Sequence, residues 1–200
     1  MKNIAVFASG KGSNFAAIIR AIKKGKLKAN LGLLVSDNPR AGAIARAKRA
    51  GVKVALVRRE DFSGREDFEG AIVRHLEDNA IDLVVLAGFM RMLSASFVKR
   101  FPNRIVNIHP ALLPAFKGSC AIQDAFDYGA KVTGVTVHFV DEKMDHGPII
   151  LQGTVAVTKN DTLESLEARI HKLEHKLYPE ALRLVLEGKL EVFGRKVALR

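Results

Sequence analysis

The chain has 200 residues, 48% of them hydrophobic, a formal charge of +11 and a single cysteine. That suits one globular domain, or a domain with a small appendage, because domains run to ~100 to 200 residues. No apolar run approaches the ~18 residues of a membrane span, the apolar start at 4–8 runs into glycines rather than a cleavage site, and Cys120 has no partner for an internal disulfide; the expectation is a cytoplasmic protein without a membrane partner.

Taken in chain order, short apolar runs at 4–8, 31–36, 53–57, 83–87 and 105–108 read as buried strands. Helical patterns at 14–24, 41–50 and 65–79 lie between the first four. Strands alternating with helices imply parallel βαβ units with right-handed crossovers, so the expected class is α/β with a doubly wound, mostly parallel, Rossmann-like sheet. After Tyr128 and Gly129, runs at 132–140 and 149–157 are separated by a polar loop too short for a crossover helix. They predict an antiparallel strand pair added in the C-terminal half. A long helix follows, with Asp161 and Glu164 spaced as a capping box and Leu163, Leu166, Ile170, Leu173 and Leu177 on one face. Pro179 is expected to kink or restart it. Residues 190–192 and 196–198 predict a terminal hairpin around Gly194 and Arg195. The organisation expected is a single domain, 1–200, with halves 1–100 and 101–200.

Charge is unevenly placed: residues 1–60 carry 14 Lys/Arg against Asp37 and Glu60, while the remainder is close to neutral. This third faces an anion, a nucleic acid or simply water. Within it, Ser9-Gly10-Lys11-Gly12-Ser13-Asn14 falls where the first strand hands over to a helix. Glycines there admit an anion close to backbone N–H groups, and the helix start adds about half a positive charge. The ending of a P-loop is missing, and Phe15 stands where a dinucleotide motif has its third glycine, so a monophosphate fits better than a pyrophosphate. Ser13 or Asn14 capping the helix is the plain structural alternative.

In open α/β sheets ligands sit beyond the carboxyl ends of the strands. Two segments at such ends are chemically rich: Ala87-Gly88-Phe89-Met90-Arg91-Met92-Leu93 and Asn107-Ile108-His109-Pro110-Ala111-Leu112-Leu113-Pro114. Asn107 and His109 are two apart, so extended backbone points both side chains the same way. Leu113-Pro114 is a candidate cis bond. Asp145 lies between the two late strands; a carboxylate near an imidazole orients it and favours its charged form. An amide, an imidazole and a carboxylate suit acyl transfer to an amine, stabilising an oxyanion and moving a proton from the attacking to the leaving nitrogen. Spacing alone favours structural hydrogen bonding over catalysis as the account of Asn107 and His109.

Gly-Lys-Gly-Ser-Asn at 10–14, Leu-Ala-Gly-Phe-Met-Arg-Met-Leu at 86–93, Asn-Ile-His-Pro-Ala-Leu-Leu-Pro at 107–114 and Gly-Val-Thr-Val-His-Phe-Val-Asp-Glu-Lys-Met-Asp-His-Gly-Pro at 134–148 resemble, in order, the phosphoribosylglycinamide formyltransferases. These are folate-dependent transformylases of purine synthesis. The resemblance implies the formyltransferase fold and direct attack of the amine of 5-phosphoribosylglycinamide on the formyl carbon of 10-formyltetrahydrofolate, a cosubstrate, through a tetrahedral intermediate and without a metal. It implies that Asn107, His109 and Asp145 are the catalytic trio. Gly12, Ser13 and Asn14 then bind phosphate, and Glu174 binds the ribose hydroxyls. Arg65, Met90, Arg91, Met92 and Leu93 line the folate site together with Asn107, His138, Asp141 and Asp145, with main-chain groups of 90–93 and 141–145 meeting the pterin. Departures are Met92 for the commoner Ile and Lys117-Gly118-Ser119-Cys120 for the usual Pro-Gly continuation, which leaves that loop's path open.

The same formyl-folate pocket serves methionyl-tRNA formyltransferase and formyltetrahydrofolate hydrolase. The former is expected to carry a nucleic-acid module after the last long helix and the latter a regulatory domain before the first strand, so the chain's length favours neither. Small-molecule substrates, no nucleic-acid partner, and a monomer or homodimer are expected. A nicotinamide oxidoreductase lacks its third glycine here, and a non-enzymatic binding protein gives no reason for the trio.

Overall fold

The computed structural model describes residues 1–200, which divide into two compact units, Met1–Val106 and Asn107–Arg200. In the first unit β1 (Asn3–Phe7), α1 (Ser13–Lys23), β2 (Asn30–Ser36), α2 (Gly42–Ala50) and β3 (Lys53–Leu56) are followed by a short 3-10 turn at Arg59–Asp61, then by α3 (Arg65–Asp78), β4 (Leu83–Leu86) and α4 (Ala95–Arg100). The strands lie in the order β3-β2-β1-β4, and all three pairings are parallel. Parallel strands need crossovers, and helices covering both faces explain why β1 and β4 read as unbroken apolar runs. Ile4, Ala5, Val6 and Phe7 are all fully buried.

The topology sets the position of the chemistry. The chain leaves β1 toward β2 on one side and later returns to β4 on the other, so the switch point falls at the carboxyl ends of β1 and β4. The glycine loop follows β1, and Gly88 to Leu93 follows β4. Main chain joins the two segments there: Ser9 N–H donates to Gly88 O at 2.9 Å.

β5 (Ile105–His109) carries the chain into the second unit, where α5 (Ala121–Asp127), β6 (Val132–Phe139), β7 (Ile149–Ala156), α6 (Leu163–Leu186), β8 (Leu190–Phe193) and β9 (Lys196–Leu199) follow. β6 lies between β5 and β7 and pairs antiparallel with β7, and β8 pairs antiparallel with β9 as a separate ribbon. The expected parallel α/β frame, the added antiparallel pair and the terminal hairpin are therefore all present.

Some local expectations change. α6 is capped by Thr162 rather than Asp161: the Thr162 hydroxyl accepts Ser165 N–H at 3.2 Å, and Ser165 Oγ accepts Thr162 N–H at 3.1 Å. Asp161 instead closes the preceding turn, accepting Thr158 N–H at 2.7 Å, which with its other hydrogen bonds holds its carboxyl down at about 2. α6 also continues through Pro179, packing Leu166, Ile170, Leu177, Tyr178, Ala181 and Leu182 inward. Burial of each large side chain, about 1.5 to 3 kcal/mol, offsets the missing backbone bond. α4 and α5 were not evident as periodic runs because each is too short; Ser94, whose hydroxyl accepts Phe97 N–H, was the available signal for α4.

Candidate active site

The glycine loop of the first unit is shaped by backbone needs before any ligand is considered. Gly12 is the N-cap of α1 with φ +71°, and a Cβ there would lie 2.8 Å from Ala43 Cβ. Glycine is therefore required both for the left-handed conformation and for the close approach of α2. Neither Ser13 nor Asn14 is the cap; they are the first two helical residues, and no side chain caps the helix. Arg46 Nε donates to Lys11 O at 2.9 Å, bringing one of the many cations of residues 1–60 against the loop.

At the end of β4, a cavity of about 390 Å³ is lined by Arg59, Arg65, Phe68, Glu69, Met90, Arg91 and Met92. Arg65, Met90, Arg91 and Met92 are four of the residues the sequence assigned to a folate site, and the structure brings them together. The Leu93 side chain is buried in the core, which leaves only its main chain for a ligand. Buried Glu69 accepts from Arg65 Nε at 3.1 Å and from Ser94 N–H at 2.8 Å, while Arg65 Nη2 donates to Met92 O. Arg91 Nε donates to Asp37 Oδ2 at 2.5 Å, and the Ser9 hydroxyl, which donates to Asp37 at 2.6 Å, accepts Met90 N–H at 3.0 Å. Exposed methionines beside guanidinium groups offer an apolar face next to positive charge.

The second unit holds the titratable group. β5 delivers Asn107 and His109, β6 delivers His138, and the loop between β6 and β7 delivers Asp145. His109 is only 4% exposed, with Nδ1 3.5 Å from Asp145 Oδ2. Its Nε2 lies 2.7 Å from Phe116 O, so Nε2 carries a proton that is donated to that carbonyl. Asn107 joins the group through His138 rather than through His109: Nδ2 is 3.2 Å from His138 Nε2.

Burial pushes the His138 imidazole below its usual range, against the opposing pull of its bond to Phe139 and of Asp145. A neutral ring whose Nδ1 donates to Phe139 O at 2.8 Å leaves Nε2 as an acceptor. Asn107 must then offer an amide hydrogen to it, which fixes the orientation of the Asn107 side chain. Asp145 Oδ1 lies 3.8 Å from the same Nε2, so the carboxylate faces both imidazoles.

Packing braces this arrangement. The Thr136 hydroxyl, fully buried, donates to Ala111 O at 2.7 Å and accepts Leu113 N–H at 3.0 Å; the Leu113-Pro114 bond is cis, as anticipated. The loop at 117–120, open from sequence, folds over the pair: Gly118 N–H donates to Asp145 Oδ2 at 2.9 Å. Phe116 and Gly118 are thus functional-site residues the sequence reading missed. Their signal was only the Lys117-Gly118-Ser119 turn composition.

Two expected residues lie away from the trio's contacts. Asp141 accepts from His146 Nδ1 at 2.6 Å. Glu174 sits on α6, where it is only 4% exposed, 3.0 Å from His171 Nδ1. Tyr178 shares this environment; burial, then the Glu174 charge, pushes its phenol well up.

Comparison with known proteins shows the family. The family model described as formyl transferase matches residues 2–182. The phosphoribosylglycinamide formyltransferase of Bacillus subtilis (strain 168) is 45% identical over 186 residues, 93% of this chain and 95% of the relative. Among solved structures, glycinamide ribonucleotide transformylase 1 from Symbiobacterium toebii aligns with a TM-score of 0.97 at 43% identity, covering 100% of this chain and 94% of that one. The corresponding Geobacillus kaustophilus structure gives 0.91 at 47% identity, covering 93% and 99%. Fold, ordered motifs and overall similarity converge: the chain belongs to the formyl transferase family and, within it, to the phosphoribosylglycinamide formyltransferases.

Proposed function

We propose that this chain transfers the formyl group of 10-formyltetrahydrofolate to the amine of 5-phosphoribosylglycinamide, with Asn107, His109 and Asp145 as the catalytic residues. The observation that supports the assignment of roles is that His109 and His138 both face the Asp145 carboxylate, with Asn107 bonded to His138. The folate supplies a formyl carbon and departs as an amine. When the acceptor nitrogen adds to that carbon, negative charge builds on the formyl oxygen, and preorganised donors stabilise it without reorganising.

Asn107 is one such donor. Its first amide hydrogen is committed to neutral His138, leaving the second for the formyl oxygen. His109 Nε2–H, which meets the Phe116 carbonyl in the free protein, is the second donor, and the developing oxyanion competes with that carbonyl for it. The attacking nitrogen must lose a proton and the leaving nitrogen must gain one. Asp145, beside His109 and held by Gly118 N–H, is placed to carry it. Charge stabilisation and proton transfer come from side chains, so the reading needs no metal.

For the substrates, we assign the phosphate to Gly12, Ser13 and Asn14 at the uncapped start of α1 and the ribose hydroxyls to buried Glu174. The folate falls to Arg65, Met90, Arg91, Met92 and Leu93, together with His138, Asp141 and the loop that follows it. On this reading the residues 1–200 act as one formyltransferase domain on small molecules, without nucleic-acid or membrane partners, as a monomer or homodimer in the cytoplasm. No helix is long and apolar enough to cross a membrane. The test is an assay of purified protein with both substrates: folate product is expected only when both are present. Turnover with folate and water alone, or none with both substrates, would overturn it.

A further inference from the structure

We infer that Arg195, in the turn of the C-terminal hairpin, is a positioning residue that fastens the loop carrying Asp145. The inference rests on the proposed role of Asp145. That loop, between the ends of β6 and β7, has no ladder of its own, and Glu142, Lys143 and Met144 are exposed. Asp145 is held at φ +46°, a left-handed conformation uncommon for residues with a Cβ, though Asp tolerates it better than most.

At its base the loop is closed by Phe139 N–H donating to Pro148 O at 2.9 Å, and Gly147 lies so close that a Cβ there would sit 1.9 Å from Phe139 O. That leaves the tip to be fixed. Asp141 and His146 close it into a ring, with Nδ1 2.6 Å from Asp141 Oδ2, and Lys143 N–H adds a bond to Asp141 Oδ1 at 3.0 Å.

Arg195 holds this ring from outside. Its Nη2 donates to the main-chain carbonyl of His146, one residue beyond Asp145, at 2.7 Å, and its Nη1 lies 2.9 Å from both ring nitrogens of His146. Equidistant from the two ring nitrogens, Nη1 lies over the face of the imidazole, whose Nδ1 edge meets Asp141. The Asp141 carboxyl lies below its ordinary range: burial opposes ionisation, and the His146 and Lys143 hydrogen bonds with the Arg195 charge outweigh it. A planar fork serves a carbonyl and a ring at once, which an ammonium cannot do.

The hairpin itself gains a purpose from this contact. Its strands are half-buried or exposed, and the Phe193↔Lys196 pairing leaves Gly194 and Arg195 as its two-residue turn. Gly194, at φ +57°, lets the turn close tightly with Arg195 beside it.

The experiment compares wild type, Arg195→Ala and Arg195→Lys in steady-state formylation and in amide hydrogen exchange. The alanine variant is expected to lose about 10-fold in kcat, less than the roughly 100-fold that a full 1 Å misplacement of a catalytic group can cost. Its KM for the phosphorylated amine should stay within about twofold, since the phosphate contacts are untouched. Exchange should rise at 141–147 and remain unchanged along β6. Lysine, able to reach the carbonyl but not the ring as well, should fall between the two. Wild-type kcat in the alanine variant would overturn the inference, as would exchange rising throughout the second unit, which would make Arg195 a general structural residue. A wild type without formyl transfer would instead sink the functional reading, while the exchange data would still judge the fastening.

Discussion

The glycine loop of the first unit presents main chain, whereas the group formed by Asn107, His109, His138 and Asp145 presents hydrogen-bonding side chains. The loop depends on an absence, the missing Cβ of Gly12 and the missing side-chain cap of α1. The group depends on burial and on a fixed order of donors and acceptors. Binding a fixed negative charge needs static dipoles, while moving a proton needs groups that change state. The two regions should therefore fail in different kinetic parameters when damaged.

Removing a proton-handling group should have the largest effect. His109→Ala and Asp145→Ala are each expected to lower kcat by roughly 100-fold or more, the scale of lost acid/base or charge-stabilising groups. KM for the phosphorylated amine should change little. Near-normal turnover in either variant would dissolve the contrast by removing chemistry from the second unit.

Gly12→Ala should show the converse. The added Cβ meets Ala43 and the left-handed backbone, so KM for the phosphorylated amine is expected to rise about 10-fold while kcat is largely kept, the pattern of lost uniform binding. A fall in kcat with KM intact would show that the loop acts on the chemical step.

The smallest effect expected is a pH dependence of stability. His138 is pushed below its usual range by burial, so as pH falls below about 6.5 the unfolded chain takes up a proton that the folded chain refuses. Stability contributed by neutral His138 is therefore present above about 6.5 and declines as pH falls toward the folded value. Urea unfolding of His138→Asn at pH 7.5 and pH 5.5 should show a smaller acid loss than wild type. An equal loss would mean that His138 is not held neutral by its surroundings.

The strands and long helices were legible in the sequence because burial on both faces writes itself as unbroken apolar runs, as in Ile4 to Ala8. Asn107 and His109 were legible because strand geometry alone puts residues two apart on one side. The approach of Asp145 was not, since it depends on a loop whose fixings are Gly118, His146 and Arg195, three residues distant in sequence or ordinary in composition. Glu174 shows the same limit from another side: a carboxylate on a charged helix reads as solvated, and only the packing of α6 reveals it as buried. The cap of α6 moved by one residue because Asp161 and Thr162 are both good capping residues, and local turn bonds decided between them.

The most direct test of the account is to follow the formyl carbon itself, with 10-formyltetrahydrofolate labelled in that carbon and 5-phosphoribosylglycinamide as acceptor. The account predicts label in the formylated amine, mole for mole with folate released, and no folate release when the acceptor is omitted. Label recovered as free formate, at the same rate with or without the acceptor, would contradict it.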